Sequence, residues 1–311
     1  MGYGSYSHQA HVAMTRSRSG KGTEVFTQRS CHPLMDPHGV GKRESRDSEA
    51  HPNSVGVVFA LDVSGSMGEI PARLATATLP TFMQAMLESG VPDPQVLFMG
   101  VGCANGDRAP LQVGQFESTE RLMDQWLTNL YLEGGGGGGN ESYELAMYFC
   151  ARHTDMDCVS KRGRRGYLFI TGDEPPNPAV SAAQVKAVIG DDLAADIPIR
   201  EVIDETMRAF EPFYLIPDPG RARQVERQWR DLLGDRVVAM EHPDHTSYVA
   251  AGLVSLLEGG VDDLDGLARR LGDSGVDREV VQAVVRALTP FAANLGKDGT
   301  PGPGLGGASL Q

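Results

Sequence analysis

The segment VVFALDVSGSMGE, residues 57–69, joins a strand-like apolar run to a loop that carries oxygen-bearing side chains. Its first five residues form a nearly continuous apolar run, which is typical of a parallel strand buried on both faces of a sheet. Asp62, Ser64 and Ser66 follow at two-residue spacing. Because ligands of open α/β sheets bind beyond the carboxyl ends of the strands, we expect these three side chains to face a common ligand.

One carboxylate and two hydroxyls are hard oxygen donors, and they suit Mg²⁺, which prefers near-octahedral oxygen ligation. The same donors accept Mn²⁺ and Ca²⁺, so the residue types do not choose among the three ions. A helix cap is the alternative interpretation, since Asp and Ser are favoured at helix N-termini. The short pattern alone therefore supports both a metal site and a cap.

Strand-sized and helix-sized segments alternate along the chain after this motif, which is typical of a parallel sheet wound with helices. The pattern predicts an α/β fold with a doubly wound, mostly parallel six-stranded sheet and helices on both faces. The predicted strands are 55–61, 95–101, 166–171, 211–216 and 236–240, with 111–116 as a weaker edge strand. The predicted helices are 70–88, 119–130, 142–153, 182–189, 199–210, 222–233 and 246–257.

Composition shifts divide the chain into four parts. Residues 1–53 are rich in Ser, His, Arg and Gly, and they predict an irregular leader that packs on or near the α/β domain at 54–258. Residues 259–295 predict short helices broken at Gly275. Residues 296–311 are rich in Gly and Pro and predict a disordered tail.

The charge balance limits the classes of partner. The 311 residues carry 41 acidic against 28 basic side chains, for a net charge of −13, which argues against non-specific nucleic-acid binding. The apolar runs fall far short of the ~20 residues that a membrane helix needs. The basic N-terminal stretch has no apolar run behind it, as a secretory signal would have, and the four cysteines form no CxxC pair. A cytoplasmic protein without membrane or nucleic-acid partners is expected.

The motif Asp62-Val63-Ser64-Gly65-Ser66 resembles the DxSxS motif of von Willebrand factor type A domains. In that family it forms the first part of the metal-ion-dependent adhesion site. The order of elements is similar to the family's over 54–258, roughly two thirds of the chain. The resemblance, to the cytoplasmic bacterial type, implies a Rossmann-like fold and a bound Mg²⁺ ion.

The second loop of the adhesion site departs from the family pattern. Family members usually supply a Thr from a glycine-preceded loop that opens a helix, and here Glu133 and six glycines at 134–139 lead instead to Asn140, Glu141 and Ser142. Glu141 falls closest to the position of the missing Thr, with Asn140 and Ser142 as alternatives. A carboxylate there would strengthen metal binding at rest and weaken the pull of the ion on an acidic partner.

The third loop departs as well. Family members end this strand in Thr-Asp-Gly, whereas this chain has Thr171-Gly172-Asp173. Asp173 is displaced by one residue and is the candidate for the second carboxylate near the metal, which in the family acts through water. Glu174 is the alternative.

The resemblance implies a protein-binding module and no catalytic residues. A cation held by Asp62, Ser64, Ser66, Glu141 or Asn140, and Asp173 would keep a coordination position for an Asp or Glu of a partner. Cytoplasmic bacterial members often act as adaptors or assembly factors beside MoxR-type AAA+ ATPases, so such an ATPase is the expected partner. One alternative is a metal-dependent hydrolase or phosphotransferase at the same edge, with Asp62 as nucleophile or metal ligand. The three loops offer it no His or Lys base, although Asp173 or Glu174 could serve as one. The other alternative is a metal-free scaffold.

Overall fold

A computed structural model describes residues 5–65, 67–134 and 140–295. Ser66, the glycines at 135–139 and the predicted tail at 296–311 lie outside the described residues. The strands of the described part are β1 (Arg43–Ser45), β2 (Ser54–Asp62), β3 (Asp93–Val101), β4 (Leu111–Val113), β5 (Thr154–Met156), β6 (Gly166–Thr171), β7 (Ala179–Val180), β8 (Ile197–Pro198), β9 (Phe210–Ile216) and β10 (Val237–Ala239).

Helices connect and cover these strands. No helix among the described residues combines the length and the apolar character that crossing a membrane requires. The α-helices are α1 (His8–Arg16), α2 (Glu69–Arg73), α3 (Leu79–Glu88), α4 (Glu120–Thr128), α5 (Tyr143–Arg152), α6 (Asp157–Arg162), α7 (Ala182–Val188), α8 (Ile199–Thr206), α9 (Pro219–Leu233), α10 (Thr246–Leu257), α11 (Leu264–Asp273) and α12 (Arg278–Asn294).

The six predicted strands form one sheet in the order β10-β9-β6-β2-β3-β4. Every neighbouring pair is parallel except β3 and β4, which are antiparallel. The prediction of a mostly parallel six-stranded sheet is confirmed. Two small sheets, β1 with β5 and β7 with β8, were not predicted, because two or three residues are too few to show an alternating pattern.

Helices cover both faces of the sheet. The connection from β2 through α2 and α3 to β3 moves one way along the sheet, and the connections from β6 to β9 and from β9 to β10 move the other way. Since such crossovers are right-handed, α3 and the pair α8 and α9 lie on opposite faces. Phe59 of β2 lies in the core on the α3 side of the sheet, with ring centroids 4.9 Å from Phe82 of α3 and 5.3 Å from Phe169 of β6.

Three helical features differ from the predictions. The short helix α6 (Asp157–Arg162) was not predicted, because six residues are too few to show a helical period. Residues 8–16 form α1 in the leader, where Ser7 caps the helix by accepting a hydrogen bond from the Ala10 amide, a side-chain contact that composition does not reveal. The predicted helix at 70–88 is interrupted by a π-helical segment, Leu74–Thr78. Pro80 follows this segment and has no N–H to donate to the preceding turn, so the interruption lies where a regular helix loses a hydrogen bond.

The strand registers bring three loops to one edge. Asp62, the last residue of β2, pairs with Val101 of β3. Leu61 pairs with Thr171, the last residue of β6, and Thr171 pairs with Leu215 of β9. The loops that follow β2, β6 and β9 therefore leave the sheet side by side.

Candidate metal centre

Asp62 ends β2 and is completely buried. Its Oδ1 accepts a hydrogen bond from the Ser64 amide at 2.9 Å, and its Oδ2 accepts one from the Tyr143 hydroxyl at 2.7 Å. Burial raises the pKa of Asp62 to about 6, although hydrogen bonds from the Ser64 and Tyr143 hydroxyls oppose the rise. The sheet thus holds a carboxylate at its edge in a place where the charge is poorly solvated.

The Asp62 loop also carries the two predicted hydroxyl ligands. Ser64 is buried, and its side chain opposes the rise in the pKa of Asp62. The Ser64 carbonyl accepts a hydrogen bond from the Met67 amide at 3.0 Å, which closes the loop into a turn before α2. Ser66 lies outside the described residues, so its predicted role stays a prediction.

The loop before α5 offers three candidates for the missing Thr. Ser142 is turned toward the end of β3: its hydroxyl accepts a hydrogen bond from the Ala104 amide at 3.0 Å, and its amide donates to the Gly102 carbonyl at 2.9 Å. Asn140 is half-buried. Glu141 is 7% exposed, and its Oε2 is buried without a hydrogen-bond partner among the described residues.

The negative charge of Asp62 acts on the carboxyl group of Glu141. Burial raises the pKa of Glu141 to about 8, and the negative charge of Asp62 is the next cause of the rise. The charges of Glu174 and Asp173 raise it further. A buried carboxylate with a free oxygen, surrounded by other carboxylates, is stabilised either by a proton or by a cation.

The loop after β6 carries two carboxylates that pair with the same arginine. Asp173 is 5% exposed, and its Oδ2 accepts a hydrogen bond from Arg221 Nε at 3.2 Å. Arg221, in the first turn of α9, also pairs with Glu174. The Glu174 carbonyl accepts hydrogen bonds from the Trp229 indole N–H at 2.9 Å and the Tyr214 hydroxyl at 3.1 Å. Both acidic candidates of this loop are therefore engaged by Arg221.

The unusual order Thr-Gly-Asp has a steric explanation. A Cβ atom at Gly172 would lie 2.4 Å from the Tyr143 ring and 2.5 Å from the Tyr214 hydroxyl. The rings of these two tyrosines meet edge to face, with centroids 5.4 Å apart. No side chain fits at position 172 beside them, so the aspartate of this loop stands one residue later.

The residues present fit a hard cation, although not as a cluster of carboxylates. Among the described ranges, no three His, Cys, Asp or Glu side chains lie close enough to hold a metal ion together. Asp62, Ser64 and Glu141 supply two carboxylates and a hydroxyl. The buried Glu141 Oε2, which has no hydrogen-bond partner among the described residues, would be stabilised by a nearby cation. This donor set matches Mg²⁺, which commonly takes one or two carboxylates and keeps several waters.

Tyr143 and Arg221 are the two residues of the centre that the sequence analysis missed. Tyr143 lies two residues after Glu141 at the start of α5, and its aromatic character alone predicts core packing. Arg221 is one of several arginines on a polar helix. In each case the tertiary contact gives the residue its role, and the only signal in the sequence is the altered order of Gly172 and Asp173.

The sheet and the centre at its carboxyl edge define a doubly wound α/β protein with a candidate cation site. A scan against protein-family models found no match, and a search of curated proteins found none. The likeness to von Willebrand factor type A domains therefore stays a resemblance in motif and element order.

A search of solved structures found matches at low similarity. The pilus adhesin SpaC of Lactobacillus rhamnosus GG, in an open conformation, is 11% identical with a TM-score of 0.45, over 72% of this chain and 31% of the adhesin. The proximal thread matrix protein 1 of the mussel byssus is 9% identical with a TM-score of 0.43, over 69% of this chain and 49% of that protein. A second structure of it, with a zinc-occupied MIDAS motif, matches at 9% identity and a TM-score of 0.43, over 65% of this chain and 47% of that one. This chain spans less than half of each, and scores below 0.5 carry no argument about its function.

Proposed function

We propose that this chain is a metal-dependent protein-binding module. In this proposal Asp62, Ser64 and Glu141 hold a divalent cation, Mg²⁺ in the first instance, and the cation accepts an Asp or Glu side chain of a partner protein. The observation that carries the proposal is the buried Oε2 of Glu141, which has no hydrogen-bond partner among the described residues. It lies in the electrostatic field of Asp62, the first residue of the DxSxS motif.

The energetics of Glu141 favour a cation. Without one, burial and the charge of Asp62 raise the pKa of Glu141 to about 8, so the folded chain holds a carboxyl that resists ionisation at neutral pH. A divalent ion between the two carboxylates replaces this repulsion with attraction in a region of low dielectric constant. Ser66 and Asn140 are two further candidate ligands of the cation, which the resemblance to von Willebrand factor type A domains implies.

Arg221 keeps the centre suited to an acidic partner. The charges of Asp62 and Glu141 would balance a bound divalent ion, and two further free carboxylates would make the site repel an Asp or Glu. Arg221 pairs with Asp173 and Glu174 and removes much of that repulsion. In this proposal the site therefore binds an acidic side chain and neither makes nor breaks a covalent bond.

Calorimetry of metal binding tests the proposal. Chelator-treated protein is titrated with Mg²⁺ and Mn²⁺, as wild type and as the double variant Asp62→Ala, Ser64→Ala. We expect binding by the wild type that the double variant loses. Asp192→Asn is the matched control, because Asp192 is exposed and, within the described part of the chain, pairs only with Lys186. Equal binding by the wild type and the double variant, or no binding by either, would contradict a cation site at Asp62.

A capture experiment tests the partner that the resemblance implies. Immobilised protein is incubated with a purified MoxR-type AAA+ ATPase in Mg²⁺ or in chelator. We expect capture in Mg²⁺ that is lost in chelator and in the double variant. Capture that is equal in both buffers would support a metal-free scaffold instead.

A further inference from the structure

A cavity of about 480 Å³ opens beside the candidate centre. Asp173 and Arg221, two residues next to the centre, are part of its lining. The remaining surface is largely apolar and comes from the turn into α2 and from the loops after β9 and β10. Its apolar part consists of Met67, Ile70, Pro217 and Pro243.

The rim of the cavity is acidic. Glu69 and Asp218 are exposed at its edge. Asp218 caps α9 by accepting a hydrogen bond from the Arg221 amide at 2.7 Å, which leaves its negative charge in place. The Glu69 carboxylate pairs with no group among the described residues.

The charges of the lining do not cancel. Three carboxylates, those of Glu69, Asp173 and Asp218, surround one guanidinium, that of Arg221. Beyond Pro243, Asp244 is already paired with Arg73, at 2.8 Å between Oδ1 and Nε. An occupant of the cavity therefore meets an apolar floor and an excess of negative charge at the rim.

We propose that this cavity binds a Lys or Arg side chain of the partner protein. Such a side chain has an apolar stem and a cationic end, so its stem would cover Met67 and Ile70 while its charge lies near Glu69 and Asp218. This inference rests on the proposed function, since it places the basic residue next to the Asp or Glu that reaches the cation. The partner segment then carries an acidic and a basic residue close together.

Methyl NMR tests the cavity directly. The full chain is labelled with ¹³C at the Met and Ile methyl groups and titrated in chelator with N-acetyl-arginine N-methylamide. We expect the Met67 and Ile70 signals to shift in a saturable way, and Glu69→Gln to raise the dissociation constant about two- to fivefold. Glu49→Gln is the matched control, because Glu49 is exposed and precedes β2 at the opposite edge of the sheet.

One neutral probe and one acidic probe complete the test. N-acetyl-leucine N-methylamide and N-acetyl-aspartate N-methylamide are titrated under the same conditions, and we expect weaker binding of both. Tighter binding of the leucine probe would make the cavity an apolar subsite, and no shift with the arginine probe would remove the basic subsite; either result overturns the inference. Because these titrations are run in chelator and metal binding is read by calorimetry, failure of one proposal is distinguished from failure of the other.

Discussion

The Tyr143 hydroxyl donates a hydrogen bond of 2.7 Å to Oδ2 of Asp62, and both side chains are completely buried. This contact joins the end of β2 to the first turn of α5, which adjoin the two loops that supply the other candidate ligands. The same tyrosine ring excludes any side chain at Gly172. One residue thus orients the carboxylate of the motif and determines where the third loop can place its aspartate.

Removing the Tyr143 hydroxyl should destabilise the chain measurably. Tyr143→Phe leaves a buried carboxylate oxygen unpaired, and we expect it to lower the free energy of unfolding by about 2 kcal/mol in metal-free buffer at pH 8. Tyr148→Phe is the matched control on the same helix, since the Tyr148 hydroxyl bonds to Asp191, whose half-exposed carboxylate can bind water instead. Urea unfolding measures the free energy of unfolding of both variants. Equal losses would show that the hydrogen bond to Asp62 stabilises the fold no more than the hydrogen bond to Asp191 does.

Gly172 should tolerate no side chain. In Gly172→Ala the new methyl group would lie 2.4 Å from the Tyr143 ring, and we expect a loss of about 2–4 kcal/mol in the free energy of unfolding. At Gly41 a Cβ atom would meet nothing within 4 Å, so Gly41→Ala should change stability by less than about 0.5 kcal/mol. A Gly172→Ala variant as stable as Gly41→Ala in chemical denaturation would contradict the steric account of this loop.

The sheet could be predicted because its strands carry their own signal. Segments such as 55–61 and 166–171 are nearly continuous apolar runs, which are typical of strands buried on both faces of a parallel sheet. The position of Asp62 at a strand end follows from the same pattern, and the structure places it there. The local sequence pattern therefore predicts that the centre forms at the carboxyl ends of the strands.

The surroundings of the centre could not be predicted in the same way. The pairing of Arg221 with Asp173 joins residues 48 positions apart, and the contact of Tyr143 with Asp62 joins residues 81 positions apart. Neither contact leaves a periodic or compositional trace. Asp173 was predicted near a metal, and the structure shows it paired with Arg221, a counter-ion that only the tertiary fold supplies.

Stability without metal should fall as the pH rises. The pKa of Glu141 is about 8 in the folded chain against an ordinary value of 4.5, and that of Asp62 is about 6 against 3.8. The folded state therefore binds more protons than the unfolded state between about pH 4 and pH 8, and the free energy of unfolding decreases across this window.

Urea unfolding in chelator at pH 5.5 and pH 8 measures this effect. We expect the wild type to lose about 3–4 kcal/mol between the two values and Glu141→Gln to lose much less, because glutamine carries no proton to release. Added Mg²⁺ should bind more tightly at the higher pH, since it competes with those protons. A wild type whose stability rises from pH 5.5 to pH 8 in chelator would contradict the assignment.

Arg221 should oppose metal binding. Arg221→Gln frees the charges of Asp173 and Glu174 beside the centre, and we expect Mg²⁺ affinity to rise about three- to tenfold at low salt and less at high salt. Arg223→Gln, on the exposed side of the same helix, should leave the affinity unchanged. Calorimetry gives the values, and an affinity that falls in Arg221→Gln would mean that Arg221 supports the cation rather than competing with it.

Anomalous diffraction from crystals of the wild-type chain grown with Mn²⁺ tests the central claim most directly. Mn²⁺ accepts the same oxygen ligands as Mg²⁺ and scatters anomalously, so its position can be located without assumptions about the ligands. We expect one strong peak within coordination distance of Asp62, Ser64 and Glu141. A map without a peak at these three side chains, from crystals in which Mn²⁺ is present in excess, would contradict the claim that this edge of the sheet holds a cation.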